Sequence, residues 1–188
     1  MKRSNAETNI ALFVSLISLV ASIVSGQTRE SQAPPPVAVE QRSFSAEDDH
    51  VTRPIKMPDA ITRALARDTD IKQILTSENI APDQMPPSWF LTSEVHLSGT
   101  DEKDILVIGS GPLLGANVAT FWVFRPEAGG FALILKAPAH NLNVKDTRSR
   151  GYHDIELISA TADRVSQIVC RFDGSIYKRS TGSSTKVP

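Results

Sequence analysis

The densest cluster of residues able to do chemistry is Arg148-Ser149-Arg150-Gly151-Tyr152-His153-Asp154. Two guanidinium groups beside a glycine turn can grip a carboxylate or a phosphate in bidentate fashion. The same arginines can instead lock a hairpin by pairing with Asp154, Glu156 or Asp173, and this structural pairing is the expected role. His140, His153, Asp154 and Arg150 form the one set from which a small hydrolase or carbohydrate-acting enzyme could be assembled. No G-x-S-x-G nucleophile elbow accompanies them, so the sequence names no catalytic residue. Zinc needs three or four converging N, O or S ligands, and the histidine spacing matches no such pattern, so no metal is expected.

Ile108-Gly109-Ser110-Gly111-Pro112-Leu113-Leu114-Gly115-Ala116-Asn117 is glycine-rich and follows a strand. A dinucleotide-binding loop needs G-x-G-x-x-G opening a helix, whereas this one reads G-x-G-x-x-x-G with a proline inside and a strand behind it. It is expected to be a turn, with Asn117 as a residue that could touch a small ligand. Leu97 to Val107 resembles, in degenerate form, the loop and strand of integrin-type calcium repeats. His96, Ser98 and Thr100 stand at the ligand positions of those repeats, and only Asp104 keeps its place. Too few oxygen ligands remain for calcium, and a plain turn is expected. No cofactor is implied. The single cysteine, Cys170, alternates with Ile168 and Phe172 on one strand face and reads as a buried, inert thiol.

The elements that must position these residues follow from periodicity and breaks. Pro58-Asp59 predicts a helix start, with Ile61, Ala64 and Leu65 on one face. Asp68-Thr69-Asp70 predicts the N-cap of a second helix carrying Ile71, Ile74 and Leu75. Trp89 is expected as a core anchor. Strands are predicted over 89–97, 105–108, 118–125, 131–137, 142–145, 152–158, 165–172 and 176–178, separated by turn signals such as Arg150-Gly151 and Asp173-Gly174. The consecutive apolar residues of 105–108 and 121–124 require cover on both faces. The resulting fold class is α+β: two short N-terminal helices packed on an antiparallel meander, one sheet that could curl on itself.

Lys2-Arg3 followed by an apolar run over 10–24 has the form of an export signal, shorter than the ~20 apolar residues of a membrane span. Val24-Ser25-Gly26, with small residues at the −3 and −1 positions, places cleavage before Gln27, and an uncleaved signal anchor is the alternative. Residues 27–57, with Pro34-Pro35-Pro36, are expected as a disordered tether, 58–179 as the globular domain, and 180–188 as a disordered tail. The chain of 188 residues carries a net charge of −1, which gives no global attraction for nucleic acid. The expected location is periplasmic or secreted, with membrane contact only through an uncleaved N-terminal segment.

The blocks Gly111 to Asn117, Phe121-Trp122-Val123-Phe124-Arg125, Arg150 to Ile155 and Arg171-Phe172-Asp173-Gly174-Ser175-Ile176-Tyr177 resemble those of a group of exported bacterial proteins without an assigned activity. The resemblance implies export and a compact β-rich domain, and it carries no catalytic residue over. Taken together, these features lead to an extracytoplasmic, non-enzymatic binding domain for a protein or cell-envelope component. Its candidate ligand contacts are Arg148, Arg150, Tyr152, His153, Asp154 and Asn117.

Overall fold

The computed structural model describes residues 40–186. Contacts divide the chain into Met1–Val37 and Ala38–Pro188, and every described residue belongs to the second unit. The signal segment and residues 27–39 of the expected tether lie outside the described residues.

β3 (Asp104–Gly109) determines the layering, because all of its residues are buried. Successive strand side chains point to opposite faces. Ile105 and Val107 therefore enter a core with helices α1 (Asp59–Leu65) and α2 (Thr69–Ser77), while Leu106 and Ile108 enter a second core. β3 lies inside a four-stranded antiparallel sheet of order β2-β3-β4-β5, where β2 is Phe90–Val95, β4 Ala119–Glu127 and β5 Gly130–Ala139. The second core separates this sheet from a five-stranded one, β1-β6-β7-β8-β9. Its strands are β1 (Ser43–Ser45), β6 (Asn141–Ser149), β7 (Tyr152–Ala160), β8 (Arg164–Phe172) and β9 (Tyr177–Lys186). In β4 the alternation is equally clear: Phe121 and Val123 face the second sheet, Trp122 and Phe124 the helices.

The α+β class and the antiparallel pairing agree with the sequence reading, but one curled meander becomes two sheets. β5 passes to β6 across His140 alone, and the His140 N–H already bonds Ile158 of the other sheet at 2.8 Å. The fully buried Ala139 lets the chain turn at that corner. The helices are preceded by β1. Asp68 caps α2 as expected, accepting from the N–H groups of Asp70 at 3.0 Å and Ile71 at 3.4 Å. Ile61 and Leu65, one turn apart, form the buried stripe of α1, whereas Ala64 is exposed.

Both margins of the domain differ from the expectation. β1 pairs with β6, and Phe44 is 0 % exposed, so residues 43–57 of the expected tether contain core. The expected tail from Ser180 continues β9 to Lys186, held by register pairs such as Thr181↔Val169 and Lys186↔Arg164. Its side chains are exposed, so backbone pairing to β8 maintains the strand where apolar periodicity is missing.

Phe44→Ala is expected to destabilise the domain by about 3–5 kcal/mol, the usual cost of emptying a packed aromatic site. Urea unfolding checks this; a loss under about 1 kcal/mol would mean that β1 is peripheral.

Candidate functional site

Three chain segments meet at the end of the sandwich where the β6–β7 and β8–β9 turns and the 96–103 loop converge. The backbone of Leu97 joins them. Its carbonyl accepts from the His153 N–H at 2.7 Å, and its N–H bonds the carboxyl of Asp104. The hydroxyl of Tyr177 donates to the His153 carbonyl at 2.7 Å. One hydrogen-bonded seam therefore runs from Asp104 through Leu97 and His153 to Tyr177, from one sheet to the other.

The His153 ring is committed to this region. Nδ1–H donates to the Lys145 carbonyl at 2.5 Å, which leaves Nε2 to accept from Arg148 Nη2 at 2.7 Å. Arg42 also reaches the Lys145 carbonyl, at 2.7 Å, and pairs with Asp146. Burial, with the Arg148 and Arg42 charges adding to it, outweighs the Lys145 carbonyl and pushes the His153 pKa down. The imidazole is a neutral, doubly bonded strut. Tyr152 stacks on Phe172 with ring centroids 4.1 Å apart, and the Arg125 guanidinium lies 5.5 Å from the Phe172 centroid.

Asp154 is buried. It accepts from the Thr147 hydroxyl at 2.8 Å and lies 3.9 Å from Arg171 Nε, while its Oδ1 has no hydrogen-bond partner among the described residues. The carboxylates expected to lock Arg148 and Arg150 are held by other groups. Glu156 bonds Asn143 at 3.1 Å and Lys145 at 3.3 Å, and Asp173 pairs with Lys178 at 2.7 Å. Arg148 therefore locks the hairpin through His153, and Arg150 stays exposed.

The structure brings Arg148, Arg150, Tyr152, His153 and Asp154 together at one hairpin, with Asp154 sunk below the rest. Asn117 is elsewhere. It sits at φ 62° beside Ala116 at φ 46°, in a two-residue turn closed by the Gly115–Val118 bridge. Six residues of β4 separate Ala119, near that turn, from Arg125 at the seam, about 20 Å at the usual strand rise. The glycine-rich segment is thus a turn, as expected. His140 is also remote from His153: its N–H bonds Ile158, five residues along β7 and about 17 Å from His153. His140 Nδ1 accepts the Ala160 N–H at 3.1 Å. Among the described residues no group of three or more His, Cys, Asp or Glu side chains could hold a metal. Cys170 is buried, and burial pushes its thiol pKa up.

Sequence reasoning missed Asp104 and Arg125. Asp104 stood out only as the remnant of a calcium-like loop, and Arg125 only as the end of an apolar block. Asp104 is 2 % exposed, its Oδ2 has no hydrogen-bond partner among the described residues, and burial raises its pKa to about 7. The Leu97 N–H and the charges of Arg125 and His96 oppose that rise, while Glu102 adds to it. Burial likewise pushes the Tyr177 hydroxyl above its ordinary value, with the Asp104, Tyr152 and Asp154 charges contributing.

Fold and site together define a three-layer α+β domain whose polar groups at this end tie two sheets together. No family model, curated protein or solved structure matches the chain.

Because the folded carboxyl of Asp104 titrates near 7 and an unfolded one near 4, the native state holds the extra proton between these values. Stability therefore falls as pH rises from about 4 to about 7 and levels above that. Asp104→Asn is expected to flatten this slope and to be more stable than the parent at pH 8 by on the order of 2–4 kcal/mol. Urea midpoints at pH 5 and pH 8 check it; parallel pH profiles for the two proteins would contradict it.

Proposed function

We propose that this chain is an extracytoplasmic, non-enzymatic binding domain whose contact surface is the tip of the β6–β7 hairpin. One observation carries the reading. Arg150 and Gly151 form a two-residue turn with φ of 51° and 85°, a geometry that favours Asn-Gly or Asp-Gly. An arginine at positive φ is uncommon. Among the described residues Arg150 makes no hydrogen bond or ion pair that would offset the strain. Its side chain is exposed and lies along the next turn, with Cδ 3.7 Å from where a Cβ on Gly174 would stand. Strain held at an exposed cation without an internal partner fits a group kept for something outside the fold.

The site is built from below. Arg148 and His153 fix the hairpin stem, and Tyr152 on Phe172 fixes its base. A carboxylate or phosphate on a protein or envelope component is the chemistry Arg150 fits best. The distances and commitments of His140, His153 and Asp154 favour binding over hydrolysis, since no imidazole nitrogen among them is free beside the arginine. Export, on this reading, comes from the basic and apolar opening of the sequence.

Arg150→Asn is expected to stabilise the domain by about 0.5–1 kcal/mol by relieving the backbone, and to abolish saturable binding to envelope extracts measured on the immobilised full chain. Undiminished binding by this variant, or turnover of peptidoglycan, ester or phosphoester substrates by the parent, would refute the reading.

A further inference from the structure

A cleft of about 520 Å³ opens on the helical layer, lined by Asp59, Arg63, Arg67, Lys72 and Asp83 together with Ala66 and Pro82. Arg63 lies in the last turn of α1 and Arg67 in the turn that follows it. Lys72 of α2 adds a third cation. None of the three side chains has a hydrogen bond or ion pair among the described residues.

Asp68 precedes Lys72 by one helical turn, the spacing at which the two side chains could pair. Lys136 of β5 takes it instead, at 2.7 Å, and takes Asp70 at 2.8 Å. Burial would raise the Asp68 pKa, and the Lys136 ammonium with the Asp70 and Ile71 N–H groups hold it below its ordinary value. The same contacts tie the start of α2 to β5 and leave the Arg63, Arg67 and Lys72 side chains without an acidic partner among the described residues. Asp59 and Asp83 also line the cleft and can accept hydrogen bonds from hydroxyl groups.

We infer that this cleft binds a small, hydroxyl-bearing phosphate monoester, its phosphate against Arg63, Arg67 and Lys72 and its hydroxyls toward Asp59 and Asp83. The dianionic phosphate suits three cations and forked guanidinium donors, and the volume suits a small metabolite better than a polymer. The site is separate from the β6–β7 tip and does not depend on the reading given for it.

The test is calorimetric titration of the full chain with glycerol 3-phosphate, with glycerol as the neutral control. Glycerol 3-phosphate is expected to bind saturably and more weakly as salt rises, and glycerol not to bind. Arg67→Gln should weaken binding about ten-fold or more, and Arg63→Gln/Arg67→Gln should abolish it. Both positions are exposed and glutamine is a good helix former, so circular dichroism should show the fold intact. Lys136→Gln, which touches no ligand, should also weaken binding by releasing Asp68 and Asp70 toward the cations. Absence of saturable binding to about 10 mM, or equal binding by the double variant, would overturn the inference. Binding only to vesicles containing phosphatidic acid would also overturn it, making the cleft a membrane contact.

Discussion

Leu97 uses both of its backbone hydrogen-bonding groups to join the two sheets, and the rest of this end of the molecule is arranged around that fact. Two antiparallel sheets can slide on one another when only side chains separate them. Here the seam from Asp104 through Leu97 and His153 to Tyr177 fixes their offset with directional bonds in a buried setting, where an unmade bond costs more than one in water. The carboxyl of Asp104 is held in place by that seam, and its burial, opposed by the Leu97 N–H, raises its pKa to about 7. His153 is drawn into the same arrangement, since fixing its backbone places its ring between Lys145 and Arg148.

That commitment decides what the surface can do. The His153 ring is half-buried and partnered at both nitrogens, so the exposed charged group left at the hairpin tip is the Arg150 guanidinium. The helical side follows the same logic with a different pair: Lys136 draws Asp68 and Asp70 onto the sheet, and the helices keep unneutralised arginines facing outward. In both places an internal ion pair or hydrogen bond determines which charge remains free outside.

Much of this architecture was legible in the sequence, and particular residues show where legibility stopped. The strand cores, the Asp68 cap and the Arg150-Gly151 and Asp173-Gly174 turns were marked by local chemistry that tertiary structure left intact. β1 was hidden because three residues with one apolar side chain, Phe44, carry no periodicity. β9 was hidden because Ser, Thr, Gly and Lys signal flexibility, while its order comes from ladder bonds to β8 that no local pattern encodes. The break into two sheets turned on a one-residue connection at His140, which reads like any hairpin corner. Within the site, the hairpin residues were visible as a cluster. Asp104 was not, because its burial depends on strands far along the chain.

Amide hydrogen exchange of His153 tests the seam most directly, since its N–H crosses between the sheets at 2.7 Å beside a surface turn. Protection matching that of the β3 amides would place this bond in the same cooperative unit as the central strand, as the structure requires. Exchange at the rate of the exposed turn residues while β3 stays protected would show that the sheets are not tied there, and the account built on Leu97 would fail.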